Sequence, residues 1–355
     1  MPIIPSRPQA VFPIVSLCIS IIFLSSQPSC SLARQNPDPS GLAADTSVRI
    51  FDHHVHVLSP RLVQKWKSLG VPFSKPDYAY SDIDSIMKFN PADGMFLVSM
   101  AYLYATDGFT DSAELRNVRE ENDYVIRIGR RHPGKLFSFC GVDPLRAYAG
   151  EELRRCRDSG ATGLKLHFGY SDVSLKNSAH LARVRSMFSL AAGLNMPVLL
   201  HFDNQRELFG VDDASILIDS VILPIPGLEL FLAHLGTSGS YSYKTRMILG
   251  LFADSLKSNP ALREHRIWLD ISAVGLTEPS EQVPALTPED FVDLSGQLLN
   301  LGLDRVVFGT DYPVFNSTAY LSTLESNMTL TREELIRIAG NGIPHAGGTS
   351  PGSGE

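Results

Sequence analysis

Cysteine is scarce in this chain: four among 355 residues, two of which, Cys18 and Cys30, fall in or just after an apolar N-terminal run. The other two, Cys140 in an apolar strand-like run and Cys156 in a helical pattern with Leu153, have no metal-ligand spacing around them. Both read as buried thiols rather than as a disulfide or a metal pair. Excess positive charge is missing too. Lys and Arg number 31 against 38 Asp and Glu, a net charge of −7 with no basic cluster, which argues against nucleic acid or an anionic membrane surface as partner. No glycine-rich phosphate loop follows the first strand-like run, so an open dinucleotide-binding sheet lacks its signature. No apolar run reaches the roughly 20 residues that span a bilayer.

What the N-terminus does have is an export pattern. Arg7 supplies positive charge, Val11 to Ser25 is an apolar run, and Ser31-Leu32-Ala33 offers a small-residue cleavage site before Arg34. Residues 1–33 thus read as a signal peptide and the mature chain as exported, periplasmic or secreted. Retention as a membrane anchor is the rival, as is lipid attachment at Cys30, although Gln27-Pro28-Ser29 makes a poor lipobox. Residues 34–47 read as a polar linker, 48–345 as one domain, and 346–355 as a disordered tail.

Within 48–345, eight strand-like runs alternate with helical patterns. The runs begin at Val48, Gly94, Lys135, Thr162, Pro197, Leu228, Ile267 and Arg305. Between them Leu115, Val118, Val125 and Ile128 share a helix face, as do Leu181, Val184, Phe188 and Ala191, and Ile248, Phe252 and Leu256. Thr287-Pro288 starts a helix for which Gly302 is the C-cap, and Thr331 with Glu334 forms a capping box. The alternation predicts an α/β fold, a closed (β/α)8 barrel.

Such a barrel carries its site at the C-terminal ends of its strands. The first run ends in Asp52-His53-His54-Val55-His56. His54 and His56, two apart, share a side of the strand, while His53 is expected to face the other way, toward the helices. The fifth, sixth and eighth runs end at His201, His234 and Asp311. A lone HxH is a weak signal, but buried unpaired His and Asp on four strands need a common partner, and a divalent metal supplies one. Lys165 and His167 share a face of the fourth run. Asp270 lies on the seventh, its side of the sheet undetermined. His132, His180, His265 and His345 read as solvated.

The HxH, the two further histidines and the strand-eight aspartate resemble the amidohydrolase superfamily. The wording "FDHHVH", "GLKLH" and "RVVFGTDYP" is similar to its amidohydrolase-related branch, which includes decarboxylases such as aminocarboxymuconate-semialdehyde decarboxylase. The resemblance covers Val48 to Asn341. It implies His54, His56, His201 and Asp311 as ligands of a divalent ion, zinc by expectation, with Asp311 and His234 catalytic. In binuclear members a carboxylated lysine on strand four bridges two metals. Lys165 stands at that place, its alternative being a plain ammonium that pairs with an acid or binds substrate, with His167 beside it; the branch resemblance favours one metal.

The reaction expected first is hydrolysis of an amide, ester or lactone, for which a metal lowers the pKa of water toward about 7. The alternative is non-oxidative decarboxylation. A non-catalytic binding barrel is disfavoured by ligands on every required strand. The loops after the strands hold Tyr170, Arg206, Tyr241 and Tyr243 but no arginine pair to clamp a dicarboxylate, which tilts the reading toward hydrolysis. The partner is a small-molecule substrate, and a homo-oligomer is compatible with the sequence. If the N-terminus is a cleaved signal, N-terminal sequencing of the natural product starts near Arg34; a soluble protein retaining Met1 would refute export.

Overall fold

A computed structural model describes residues 41–42, 48–68, 70, 73, 75–106, 111–278 and 284–342. The expected signal, the expected tail, His345 and most of the expected linker lie outside the described residues. Within that linker Leu42 is fully buried in the main core, and its N–H donates to the Glu325 carboxylate at 2.8 Å.

The eight runs become eight parallel strands in sequence order: β1 Phe51–Val57, β2 Gly94–Ser99, β3 Leu136–Gly141, β4 Gly163–His167, β5 Val198–His201, β6 Glu229–Leu232, β7 Arg266–Asp270 and β8 Val306–Val307. Helices intervene, as a parallel sheet requires. The predicted stripes lie on helices Asp111–Gly129, Ser178–Gly193 and Tyr243–Ser258, each turning apolar residues onto the sheet. Both predicted caps form: Thr287 accepts from Asp290 N–H, Thr331 from Glu334 N–H, and Gly302 closes its helix at φ +98°. Cys140 and Cys156 are free and buried.

The barrel closes between β1 and the chain after β8. His53 N–H donates to the Phe308 carbonyl at 3.0 Å, Tyr312 N–H to the His54 carbonyl at 3.1 Å, and His56 N–H to the Tyr312 carbonyl at 3.0 Å. Outside the sheet lies the large sheet–helix core; inside it Phe51, Phe96, Phe139, Leu199, Phe231 and Val307 fill the barrel. Small residues make room for these rings. A Cβ on Gly163 would lie 2.3 Å from a carbon of the Phe139 ring, and one on Gly94 2.5 Å from a carbon of the Phe51 ring.

A bulge in β1 alters one expectation. Asp52 pairs with Met95 and Val55 with Leu97, so two residues, His53 and His54, stand opposite one. Both therefore turn inward at different depths. His53 does not face the helices: its ring packs on Phe51, Phe96 and Phe231 at 4.7, 4.8 and 5.3 Å, in the barrel floor. Its Nδ1 lies 2.9 Å from the Phe308 carbonyl, and burial pushes its pKa down to about 4, so it stays neutral there. Asp52 points outward instead, accepting from Asn90 Nδ2 at 2.7 Å and Thr310 N–H at 2.9 Å.

The tight fit of glycine against phenylalanine is testable. Gly163→Ala should destabilise the fold by about 1–3 kcal/mol through overpacking, read by denaturant unfolding. Adding Phe139→Leu should recover part of that loss; strictly additive effects would mean the two positions do not share one space.

Candidate metal centre

Above the bulge, His54 and His56 point into the mouth of the barrel. Asp311 reaches the same point from the turn after β8, and His234 lines the same pocket from the turn after β6. Neither of these two lies on a strand, because β6 ends at Leu232 and β8 at Val307. Both have left-handed backbone, φ +54° in each case, a conformation uncommon outside glycine.

Asp311 Oδ1 lies 3.0 Å from His56 Nε2 and 3.4 Å from His54 Nε2, and donor atoms of the three residues fall within 4.8 Å of one another. Asp311 Oδ1 is buried without an aligned hydrogen-bond partner. An orphaned carboxylate oxygen between two imidazoles is what a cation would satisfy, so the donors present fit a divalent ion.

The surroundings are crowded with nitrogen. Lys165 is buried with Nζ 3.3 Å from His54 Nε2; burial pushes its pKa down to about 8 against the opposing pull of Asp311 and Asp270. Burial, then the Lys165 charge and neighbouring imidazoles, push His54 well below the usual histidine range; His167 and His201 are lowered likewise and His234 to a lesser degree. All four are therefore neutral near pH 7, the form in which imidazole binds a metal. Burial alone would raise Asp311, yet His234, His56 and Lys165 hold it below the usual carboxylate range.

Of the four expected ligands, His54, His56 and Asp311 come together. His201, at the end of β5, lines the same pocket outside that cluster: its ring stacks on His167 at 3.8 Å and its Nε2 lies 3.1 Å from Ser238 Oγ. His167 Nδ1 accepts the Tyr170 N–H at 3.2 Å. His234 stacks on His54 at 5.0 Å.

Asp270, undetermined from sequence, points into the barrel, its Oδ2 2.8 Å from His54 Nδ1. Burial pushes its pKa up to about 8, so its proton and that of the imidazole compete for one contact. A cation held on His54 Nε2 would decide the competition, since Nδ1 would then carry the ring proton. Gly309 is glycine for the same reason: a Cβ there would sit 2.5 Å from Asp270 Oδ1 and 3.1 Å from His54 Cβ.

The pocket opens to solvent, and besides the donors it is lined by Leu58, Met100, Tyr102, Tyr170, Pro313 and Val314. Tyr170 alone of the loop residues picked from the sequence lines it. Arg206 pairs with Asp172 on the surface, Tyr241 hydrogen-bonds Asp293, and Tyr243 is 75% exposed. Met100 and Tyr102 were missed because they belong to a short 3₁₀ segment and its approach after β2, where no strand or helix period marks them.

The sequence profile of the amidohydrolase family matches residues 51–341, and the chain belongs to that family. No curated protein matches it. Among solved structures it is similar to 5-carboxyvanillate decarboxylase from Sphingomonas paucimobilis, at 13% identity and TM-score 0.56, over 82% of this chain and 97% of that one. It is also similar to 2,6-dihydroxybenzoate decarboxylase from Rhizobium (17% identity, TM-score 0.54, 82% and 96% covered). A manganese-bound dihydroxybenzoic acid decarboxylase from a Polaromonas species matches at 16% identity and TM-score 0.51, with 82% and 94% covered. At these identities the likeness establishes the (β/α)8 fold.

The three-donor cluster makes a direct prediction. Purified protein should take up a divalent ion, and His56→Ala should weaken its binding more than about tenfold, measured by competition with a chelating dye. Lys165→Ala should keep one ion per chain; loss of one of two would mean that the lysine bridges a pair.

Proposed function

We propose that the protein is a metal-dependent, non-oxidative decarboxylase of a small, planar, hydroxylated aromatic or conjugated acid. The observation that carries this reading is that Met100, Tyr102 and Tyr170 line the same pocket as the His54–His56–Asp311 cluster. A flat ring fits against such a lining with its polar edge toward the donors. The aromatic acids named for the similar structures support it. Hydrolysis, expected first from the sequence, rested partly on the lack of an arginine clamp, but buried Lys165 supplies a cationic group for a substrate carboxylate in its place.

A divalent ion held by His54, His56 and Asp311 would supply positive charge for the substrate oxygens and for the electrons left behind as CO2 departs. Two imidazoles and a carboxylate suit zinc or manganese. The tyrosine wall orients the ring and keeps water from its face. In the net reaction the C–C bond to the carboxylate breaks, its electron pair stays on the ring carbon, and that carbon gains a proton. That proton comes from water, and Asp311, ionised near neutral pH, or His234, which lines the same pocket, relays it to the ring carbon. The second reading, hydrolysis, is favoured by one observation: Asp311, held below its usual pKa beside neutral His234, is also placed as a base toward water.

We also propose export of the mature chain, on the strength of Arg7 and the Val11 to Ser25 run. Among the described residues no helix is long and apolar enough to cross a membrane.

The test is a parallel screen of protein loaded with manganese or zinc. Hydroxybenzoates and their methoxy relatives are assayed for CO2 release, and esters, lactones and amides for cleavage. CO2 from at least one acid is expected, with turnover falling on the order of 10²–10⁴-fold in Asp311→Asn. Cleavage of an ester, lactone or amide with no CO2 from any acid would make it a hydrolase.

A further inference from the structure

Two residues of β7 and its exit touch the imidazoles from behind. Ser272 Oγ lies 2.9 Å from Asp270 Oδ2, 3.1 Å from His54 Nδ1 and 3.0 Å from His234 Nδ1. The Ser272 carbonyl lies 2.9 Å from His234 Nδ1, and Ser272 N–H donates to Asp270 Oδ1 at 2.6 Å. All of these atoms are buried.

The directions of the hydrogen bonds follow from what each atom can do. A carbonyl oxygen only accepts, so neutral His234 carries its proton on Nδ1 and keeps the Nε2 lone pair for the pocket. The serine hydroxyl has one proton, which goes to Asp270 Oδ2, leaving Oγ to accept. Asp270 Oδ2 then stands ready for the Nδ1–H of His54. With a cation on His54 Nε2 and Asp270 ionised, the chain of bonds would run one way, from the two imidazoles toward one carboxylate.

We infer that Asp270 and Ser272 are positioning residues that hold His54 and His234 in the Nδ1–H form, with both Nε2 atoms turned toward the pocket. The inference rests on the reading of His54 as a metal ligand, and holds whether the reaction is decarboxylation or hydrolysis. Partners behind metal-binding histidines set ring orientation and basicity, and their loss weakens metal binding by about 10–100-fold.

Asp270→Asn makes the sharpest probe. Its amide oxygen must stay on Ser272 N–H, because turning the amide would set two donors against each other. The NH2 group then faces His54 Nδ1 and forces the ring proton onto Nε2. The lone pair meant for the metal is lost with hardly any change in volume.

The experiment measures zinc and manganese affinity of wild type, Asp270→Asn and Ser272→Ala by chelator competition. Histidine tautomers are read by ¹⁵N NMR in metal-free and zinc-loaded protein, and folding by thermal unfolding of the metal-free forms. Asp270→Asn should lose about 10–100-fold in affinity for both ions and remain folded, with His54 protonated on Nε2. Ser272→Ala should keep the His234 tautomer, which the carbonyl holds, and show a smaller loss. Should Asp270→Asn not fold, the wild-type tautomers decide: Nδ1–H at His234, and at His54 with zinc bound, supports the inference, and Nε2–H at His234 overturns it. Wild-type metal affinity retained in folded Asp270→Asn also overturns it while leaving the metal centre standing. Wild type that binds neither ion sinks the metal reading instead, and the His234 tautomer in metal-free protein still judges the Ser272 assignment.

Discussion

The seam between β1 and the chain after β8 is where fold and site become one problem. Three backbone hydrogen bonds, from His53 to Phe308, Tyr312 to His54 and His56 to Tyr312, close the barrel there. The same residues carry or flank the donor cluster, so His54 and His56 meet Asp311 only if the sheet closes in this register. Asp52 reinforces the seam from outside, where its carboxylate accepts both the N–H and the hydroxyl of Thr310, the residue before Asp311. A one-residue slip would turn the donors away from one another.

Electrostatics set the second constraint. Five imidazoles and a lysine line one largely buried pocket with a single carboxylate, Asp311, among the lining groups. Burial keeps the imidazoles of His54, His167, His201 and His234 neutral. That arrangement brings imidazole nitrogens together around a carboxylate oxygen of Asp311 that has no aligned hydrogen-bond partner. Such a cluster is unfavourable empty and favourable around a cation, which is the usual relation between local instability and function.

Most of the architecture was legible in the chain. The strand runs, three helix stripes and two caps follow from periodicity and capping chemistry, and the inward side of His54 and His56 follows from their spacing. What was illegible shares one physical origin, departure from regular strand geometry. The bulge that turns both His53 and His54 inward depends on pairing with β2, which no local pattern in β1 reveals. The turns that aim His234 and Asp311 begin where the strands have ended. Asp270 could be placed only once its neighbour was known, although an unmatched Nδ1 on His54 was a reason to look for an acceptor. The pocket wall at Met100 and Tyr102 lies on an irregular segment, the kind of loop that builds substrate sites in barrels.

Placing the donors at the first and last strands also dictates when the ion can arrive. A growing chain holds His54 and His56 long before Asp311 exists, and a chain threaded unfolded through a membrane never has them together. Loading therefore waits until the whole barrel has closed. If the chain is exported unfolded, as proposed above, the ion would be drawn from the compartment of destination, and its supply there, as much as the donor chemistry, would set which metal the finished protein holds.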